Sequence, residues 1–343
     1  MTTIAHPRVT FALFAYNQQP FIEEAVAAAL AQTYSPLEII ISDDCSTDRT
    51  FDLIEQRVRD YRGPHRVVLN RNSTNLGIAA HVNKVLQQSS GELILLAAGD
   101  DVSEIDRTSE VVRYWLAGDK ALDAIWSDVR FIDAHGNPGE TLCSPVSDAP
   151  LEAQIEKMVP ALLGCSHATT RRLFLQYGPL REDLCYEDRA LAFRALCAGG
   201  VGHIGQFLVR YRVHAGNVSD GLRVAATKPD PESRLNYHRL HLQRQLAVFL
   251  GYQEDIGKID ASIHDASRLH RIEAAVGRSI AENAIERQIY SAKFGDRLSG
   301  FRGGFFRRGP SARCRARYAL TLLSPRLWFF LSGTSIMNWV RNA

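Results

Sequence analysis

The sequence lacks a long hydrophobic run, a leader-like amino terminus and a strong net charge. No uninterrupted apolar stretch reaches the roughly 20 residues that cross a bilayer, and Met1 to Pro7 contain no basic cluster followed by an apolar segment. We therefore expect neither a transmembrane helix nor a signal peptide. The net charge of +2 is too small for the whole surface to bind a polyanion, so nucleic acid is not indicated as a partner.

Paired cysteines are also missing. The six cysteines are scattered and form no C-x-x-C pair, which argues against a zinc knuckle and a disulfide framework and fits a reducing cytoplasm. An apolar content of 45% and a charged content of 23% are typical of a folded protein with one large core or two modest ones. We expect a folded, cytoplasmic protein.

Short apolar runs rich in β-branched residues alternate with amphipathic segments through the first third of the chain. The apolar runs predict strands at 9–14, 37–41, 66–69, 93–97 and 124–126. The segments between them predict helices at 21–32, 50–59, 79–88 and 107–116. This alternation predicts an α/β fold with a mostly parallel sheet that is flanked by helices.

The second part of the chain begins with a turn-rich segment at 133–150, which predicts a loop or a short hairpin. Helices are predicted near 151–163 and 189–197, a strand near 206–213, and further helices from 231 to about 294. We place a domain boundary near residue 225, so that 226–343 form a helical carboxy-terminal region.

Polar residues follow three of the predicted strands, where ligands bind in an open parallel sheet. These residues are Tyr16-Asn17, Asp43-Asp44 and Asp100-Asp101. Because the carboxyl ends of parallel strands share one edge of the sheet, we expect all three to open onto the same crevice.

The acidic pair Asp100-Asp101 predicts a metal site. Two adjacent carboxylates at a buried strand end need a counter-charge, and no basic residue follows them until Arg107. A hard divalent cation, Mn²⁺ or Mg²⁺, suits these oxygen ligands. The alternative is that the pair only caps the next helix. Asp44 has the same alternative, although a carboxylate there can also accept the imide hydrogen of uracil or thymine.

Five segments within residues 8–116 resemble successive motifs of family-2 glycosyltransferases with the GT-A fold. They are Ala15-Tyr16-Asn17, AQTY at 31–34, EIIISDDCSTDRT at 38–50, Asn75-Leu76-Gly77, and Gly91-Glu92 leading to Gly99-Asp100-Asp101. The resemblance implies an inverting transferase with a Rossmann-like GT-A domain at 1–225. Its nucleotide-sugar half would be about 8–130 and its acceptor half about 130–225.

The same resemblance implies roles for individual residues. The expected donor-binding residues are Ala15, Tyr16, Asn17, Asp44, Asn75, Gly77 and Asp100. Asp44 matches the carboxylate that contacts the donor's base, Asp100 would face the ribose or sugar, and Asp101 matches the metal ligand. Two departures are Phe14-Ala15, where Pro, Thr or Ser is more usual, and Gly99, where many members carry an Asp.

Two later segments also resemble the family. Tyr186-Glu187-Asp188 is similar to its acidic motif, which makes Asp188 the expected catalytic base and Glu187 the second choice. The alternative is that these acids only favour a helix amino terminus. YRVHAGNVS at 211–219 resembles a segment that closes over the donor phosphates. It implies Arg212 as a donor contact and His214 as a metal or diphosphate contact, with a structural histidine as the alternative.

Other enzyme classes fit the sequence less well. The first strand is not followed by G-x-G-x-x-G, and no G-x-x-x-x-G-K-[ST] occurs, which disfavours dinucleotide-dependent oxidoreductases and P-loop enzymes. A nucleotidyltransferase of related fold and a non-catalytic GT-A scaffold remain as alternatives. The interpretation that fits the sequence best is an enzyme that transfers a UDP- or dTDP-linked sugar to a hydroxyl of a glycan or polyprenyl-linked acceptor.

The carboxy-terminal tail is strongly cationic. Six arginines lie between residues 302 and 317, ahead of an apolar, aromatic stretch at 318–331. This pattern favours peripheral binding to the anionic inner face of the cell membrane. The alternative is that the tail packs on protein, either on the helical region or on a second subunit of a homodimer.

Overall fold

The computed structural model describes residues 6–158, 164–217, 230–291 and 293–305, with residues 319, 321, 322, 324 and 325. The contacts divide the chain into two compact units. The first consists of Met1–Val213 and Gly251–Glu273, and the second of His214–Leu250 and Ala274–Ala343. The boundary near residue 225 predicted from the sequence falls within 218–229, outside the described residues.

Strands and helices alternate along the first 212 residues. In chain order the elements are β1 (Val9–Ala15), α1 (Ile22–Leu30), β2 (Leu37–Asp43), α2 (Thr50–Arg59), β3 (Arg66–Arg71), α3 (Ile78–Gln88), β4 (Leu93–Ala98), β5 (Val102–Ser103), α4 (Arg107–Ala117), β6 (Ala124–Ile132), β7 (Pro138–Leu142), α5 (Leu151–Lys157), a 3₁₀ turn (Gly164–Ser166), β8 (His167–Thr170), α6 (Arg171–Tyr177), α7 (Glu187–Leu196) and β9 (Val201–Arg212). After β9, the part of the chain that the structure describes also contains the helices α8 (Pro231–Ile256), α9 (Ala266–Ile289) and α10 (Phe294–Phe305).

The strands form one sheet in the order β3-β2-β1-β4-β8-β6-β9-β5, and β7 pairs with β6. The first four strands are parallel neighbours, and β8 lies antiparallel between β4 and β6. Because β8 is antiparallel to both β4 and β6, β6 runs in the same direction as β4. Strand β9 is parallel to β6 and so has this direction too. The carboxyl ends of β1, β2, β4, β6 and β9 therefore share one edge of the sheet. The predicted fold class, an α/β sheet of GT-A type followed by helices, is confirmed.

The core explains why the early strands read as continuous apolar runs. Side chains on β1, β2 and β4 are buried on both faces of the sheet. The inward face of α1 presents Ile22, Ala25, Val26 and Ala29, at the three- and four-residue spacing of a helix. Two of the strands that the sequence pattern missed or shortened, β8 and β9, have weaker signals. β8 reads His-Ala-Thr-Thr, and β9 begins with a segment that contains Gly202 and Gly205.

Among the residues that the structure describes, no helix is both long and apolar enough to cross a membrane. The arginines between 307 and 317 and nearly all of the apolar stretch at 318–331 lie outside the described residues. Membrane binding by this tail therefore stays a prediction.

A buried ion pair joins α7 to the segment Gly251–Glu273 inside the first unit. Arg194 donates from Nε to Asp255 Oδ2 at 2.6 Å and from Nη2 to Oδ1 at 3.0 Å, and each side chain is 3% exposed. Arg194 also donates to the carbonyl oxygens of Gly178 and Pro179. Removing the acid would leave a buried cation without its counter-charge.

We expect Asp255→Ala to lower the free energy of unfolding by about 3–5 kcal/mol, the cost of breaking a buried pair. Glu254→Ala is the matched control, because its partner Arg181 is half-buried and Glu254 itself is 52% exposed. This control should cost about 1 kcal/mol or less. Urea unfolding of both variants measures the difference. Equal losses of unfolding free energy would show that the buried ion pair contributes no more to stability than the exposed one.

Candidate active site

Backbone hydrogen bonds bring the three polar strand ends side by side. The Asp44 N–H donates to Ala15 O at 2.9 Å, and the Gly99 N–H donates to Phe14 O at 2.8 Å. The turns after β2 and β4 therefore lie on either side of β1. Asp44 and Asp101 belong to these two turns, at the same edge of the sheet.

The loops after β1 and β2 are tied to each other. Asn17 N–H donates to Ser46 Oγ at 2.9 Å, and Asn17 Oδ1 accepts from Thr47 N–H at 2.8 Å. Asp43, fully buried, accepts from the Ser46 N–H at 2.9 Å. The Asn17 side chain is thus used in holding the two loops together. The neighbouring Tyr16 is 46% exposed.

Asp44 holds the loop at 72–77. Its Oδ1 accepts from Asn72 Nδ2 at 2.8 Å and from Leu76 N–H at 2.9 Å, and its Oδ2 accepts from Gly77 N–H at 3.0 Å. Gly77 has a φ of +78°, which favours glycine. A carboxylate offers about four lone-pair positions, so three bonds from this loop leave little room for the predicted contact with a base. This structural role was not predicted from the sequence.

Asp101 is fixed by a strand that lies far away in the sequence. Its Oδ1 accepts from Arg212 N–H at 2.7 Å. Asp101 is 5% exposed. Burial, followed by the charge of the neighbouring Asp100, raises the pKa of Asp101 well above its ordinary value. Bringing a cation to this carboxylate would favour its ionised form.

Gly99 stands where many members of the resembled family carry an aspartate. Close packing explains the glycine. A Cβ at this position would lie 2.4 Å from Gln18 Oε1 and 2.8 Å from Ile22 Cδ1. Side chains from the loop after β1 and from α1 thus fill the space that an aspartate would need. Asp100 and Asp101 remain as the acids of this turn.

The acidic pair has a buried cation nearby, and this cation is the first basic residue that follows the pair in the sequence. Arg107 is fully buried and donates from Nη1 to Ser103 Oγ at 2.9 Å and from Nη2 to Leu96 O at 2.8 Å. Burial lowers the pKa of Arg107 to about 10, and the charge of Asp101 acts in the opposite direction. The sequence does not show this proximity, because it depends on the burial of Arg107 at the start of α4.

Arg212, which the resemblance implies as a donor contact, has its guanidinium bonded to the protein itself. Arg212 is 2% exposed, and its guanidinium donates from Nε to Asp100 O at 2.9 Å and from Nη2 to Glu24 Oε2 at 2.6 Å. Its Nη1 donates to the carbonyl oxygens of Asp133 and Ala134. The side chain is therefore buried among protein acceptors, and a contact with the donor stays a prediction.

Glu187 and Asp188 form the first turn of α7 and are half-buried. Burial raises the pKa of Asp188 to about 6, while burial and the charge of Asp188 raise the pKa of Glu187 to about 8. Asp188 Oδ1 accepts from Arg189 N–H at 2.7 Å. A carboxylate with a raised pKa is suited to accept a proton near neutral pH.

His214 belongs to the second unit, where its backbone N–H donates to Asn217 Oδ1 at 2.6 Å and its Nδ1 accepts from Gly216 N–H at 3.1 Å. Its role at a metal stays a prediction. In the described ranges, no group of three or more His, Cys, Asp or Glu side chains is arranged to hold a metal ion. A cation that uses one or two protein carboxylates and substrate phosphates, as Mg²⁺ often does, fits the donor set better than an all-protein cage.

The parallel strands, their acidic edge and the helical region define a GT-A-type transferase fold. Residues 10–146 match the family model described as glycosyl transferase family 2. This match agrees with the motifs in residues 8–116 that resemble the same family. Rv1520 of Mycobacterium tuberculosis is 30% identical over 217 residues, which make up 58% of this chain and 57% of Rv1520. The chain thus spans little more than half the length of that relative.

Two solved structures are similar in fold. TarS 1-349 of S. aureus in complex with UDP-GlcNAc gives a TM-score of 0.56 at 13% identity, with 98% of this chain and 92% of that chain covered. The mannosyltransferase PcManGT from Pyrobaculum calidifontis, in complex with GDP-Man and Mn²⁺, gives 0.54 at 16% identity, with 96% and 87% covered. At these identities the likeness shows the fold alone.

Proposed function

We propose that this protein transfers a sugar from a nucleoside-diphosphate donor to a hydroxyl of a glycan or polyprenyl-linked acceptor, with inversion at the anomeric carbon. The observation that carries the proposal is the shared edge of the sheet, where Asp101 and the turn of Asp44 flank β1. The family match supports sugar transfer, and the two structures of similar fold hold nucleotide sugars. A UDP- or dTDP-linked donor is favoured.

Asp101 and Asp100 would hold a Mn²⁺ or Mg²⁺ ion. Such a cation would neutralise the charge of the departing diphosphate. The residues fit this group because two carboxylates share a buried turn and burial raises the pKa of Asp101, which an adjacent dication would reverse. Tyr16 offers an exposed ring to the base, and Asn75 and Gly77 shape the loop beside it.

Asp188 would act as the base. Its carboxylate removes the acceptor's hydroxyl proton while the acceptor oxygen bonds to the anomeric carbon, and the electron pair of the broken bond leaves with the diphosphate oxygen. General-base help of this kind contributes roughly 10²- to 10⁴-fold. In this proposal the acceptor approaches from the side of α7, and the basic tail brings the enzyme to the inner face of the membrane.

The test is nucleotide release from a panel of UDP-, dTDP- and GDP-sugars, with Mn²⁺, with Mg²⁺ and with EDTA. We expect turnover of a UDP- or dTDP-sugar that falls roughly 100-fold when the metal is chelated. Turnover that is unchanged in EDTA would contradict the metal's role. Binding of UDP and Mn²⁺ without turnover of any donor would support the non-catalytic scaffold instead.

A further inference from the structure

Among the described residues, three hydrogen-bond donors surround the Asp44 carboxylate. Its Oδ1 accepts from Asn72 Nδ2 at 2.8 Å and from Leu76 N–H at 2.9 Å, and its Oδ2 accepts from Gly77 N–H at 3.0 Å. Because a carboxylate offers about four lone-pair positions, these donors leave about one, and it is on Oδ2. Asp44 is 3% exposed, so this position suits a single N–H of a ligand.

Asn72 faces Asp44 with its amide in a fixed orientation. Asn72 Oδ1 accepts from Lys84 Nζ at 2.6 Å and from Asn70 Nδ2 at 2.9 Å, while Asn72 Nδ2 donates to Asp44. If the amide were turned over, its N–H groups would face these two donors and its oxygen would face the carboxylate. The Lys84 ammonium is charged and forms the stronger of the two bonds. Lys84 therefore decides which end of the Asn72 amide meets Asp44.

The helix α3 anchors this arrangement at two points. Lys84 is a partly buried residue of α3, and its ammonium group donates to the Asn72 amide oxygen. Asn70, the second donor to that oxygen, also donates to Ser42 Oγ at 2.8 Å. Ser42 Oγ in turn lies 2.6 Å from Nε2 of His81, which is buried and one turn before Lys84. The Asn72 amide is thus held from a helix, although Asn72 itself belongs to the loop after β3.

We propose that Lys84 and Asn72 are positioning residues that give the donor site its preference for a base. With the Asn72 amide held in place, the remaining Oδ2 position of Asp44 accepts the imide N–H of uracil or thymine. Cytosine has an unprotonated ring nitrogen at this position and would turn a lone pair toward the carboxylate, so it is rejected. The inference rests on the proposed function, which places a nucleoside diphosphate at this edge of the sheet.

The experiment measures the binding of UDP and of CDP by calorimetry in the presence of Mn²⁺, because these two nucleotides differ only in the base. The full chain carries Lys84→Met, Asn72→Ala or both substitutions. We expect the wild type to prefer UDP by about 10- to 100-fold, the range for one hydrogen bond to a charged group. Lys84→Met should reduce this preference about tenfold by weakening UDP binding, while CDP binding stays within about twofold of the wild type.

The double variant tests whether Lys84 acts through Asn72. Asn72→Ala removes the amide that Lys84 orients, so adding Lys84→Met should cause no further loss of UDP affinity, whereas independent effects would multiply. Lys120→Met is the matched control, because this lysine binds Glu92 just before β4, at the opposite edge of the sheet. It should bind both nucleotides like the wild type. Melting temperatures check that each variant is folded.

Three results would overturn the inference. Equal weakening of UDP and CDP in Lys84→Met would reduce Lys84 and Asn72 to supports of the loop. Effects that multiply in the double variant would show that Lys84 does not act through Asn72. A wild type that binds both nucleotides equally would show that Asp44 reads no base, and the proposed sugar transfer would stand. A wild type that binds neither nucleotide and releases none from any donor would instead refute the proposed function.

Discussion

Asp101→Asn is expected to lower sugar transfer by about 10³-fold, within the range for losing a group that stabilises transition-state charge. The amide has the size of the carboxylate and keeps an oxygen that can accept from the Arg212 N–H. The substitution therefore removes the charge and leaves the turn in place. Initial rates of nucleotide release over a Mn²⁺ titration, with paramagnetic resonance of the bound ion, measure both consequences.

Asp106→Asn is the matched control for this experiment. Asp106 is an exposed acid five residues further along the same segment, so the chemical change is identical. The control should retain wild-type rates and Mn²⁺ affinity. If Asp101→Asn also keeps wild-type turnover, the acidic edge is not the metal site and the mechanism proposed above is wrong.

Asp188→Asn should reduce turnover by roughly 10²- to 10⁴-fold, because it removes the group that accepts the acceptor's proton. Binding of UDP and Mn²⁺ should be unchanged, since Asp101 is untouched. Glu182→Gln, at an exposed acid ahead of α7, is the control. Full activity in Asp188→Asn together with an inactive Glu187→Gln would transfer the role of base to Glu187.

The raised pKa of Asp188 gives this prediction a pH signature. A base works when deprotonated, so wild-type turnover should fall as the pH drops through about 6, above the ordinary pKa of 3.8.

The stability of the folded protein should instead fall as the pH rises. Ionising a half-buried carboxylate is unfavourable, so the folded state loses stability as the pH rises from the ordinary pKa toward the raised one. Asp188→Asn should therefore melt a few degrees above the wild type at pH 8 and close to it at pH 4. A lower melting temperature at pH 8 would contradict the desolvation argument.

The strand ends were predictable because they depend on short, local sequence patterns. An apolar, β-branched run covered on both faces must be followed by a turn, and parallel neighbours place these turns at one edge. This reasoning located Asp44 and Asp101 on either side of β1. The helices were predictable in the same way, since the apolar face of α1 follows a helical period.

Long-range contacts were not predictable from the sequence. Cys165 gives no local signal, and it packs near Ala98 at the end of β4 because β8 enters the sheet between β4 and β6. Arg212 matched a donor-binding motif, yet burial turns its guanidinium toward carbonyl oxygens and Glu24. Arg107 follows the acids closely in the sequence, yet the sequence does not show that it is fully buried near Asp101. Each case depends on which side chain is buried, and burial depends on tertiary packing.

The bonds between the loops after β1 and β2 have a thermodynamic consequence for ligand capture. Asn17, Ser46 and Thr47 already hold one another in the free protein. Ordering a loop on binding costs conformational entropy, which weakens affinity. Here that entropy was already lost when the chain folded. The loops on this side of the crevice are therefore ordered before a ligand binds, and binding does not carry this cost again.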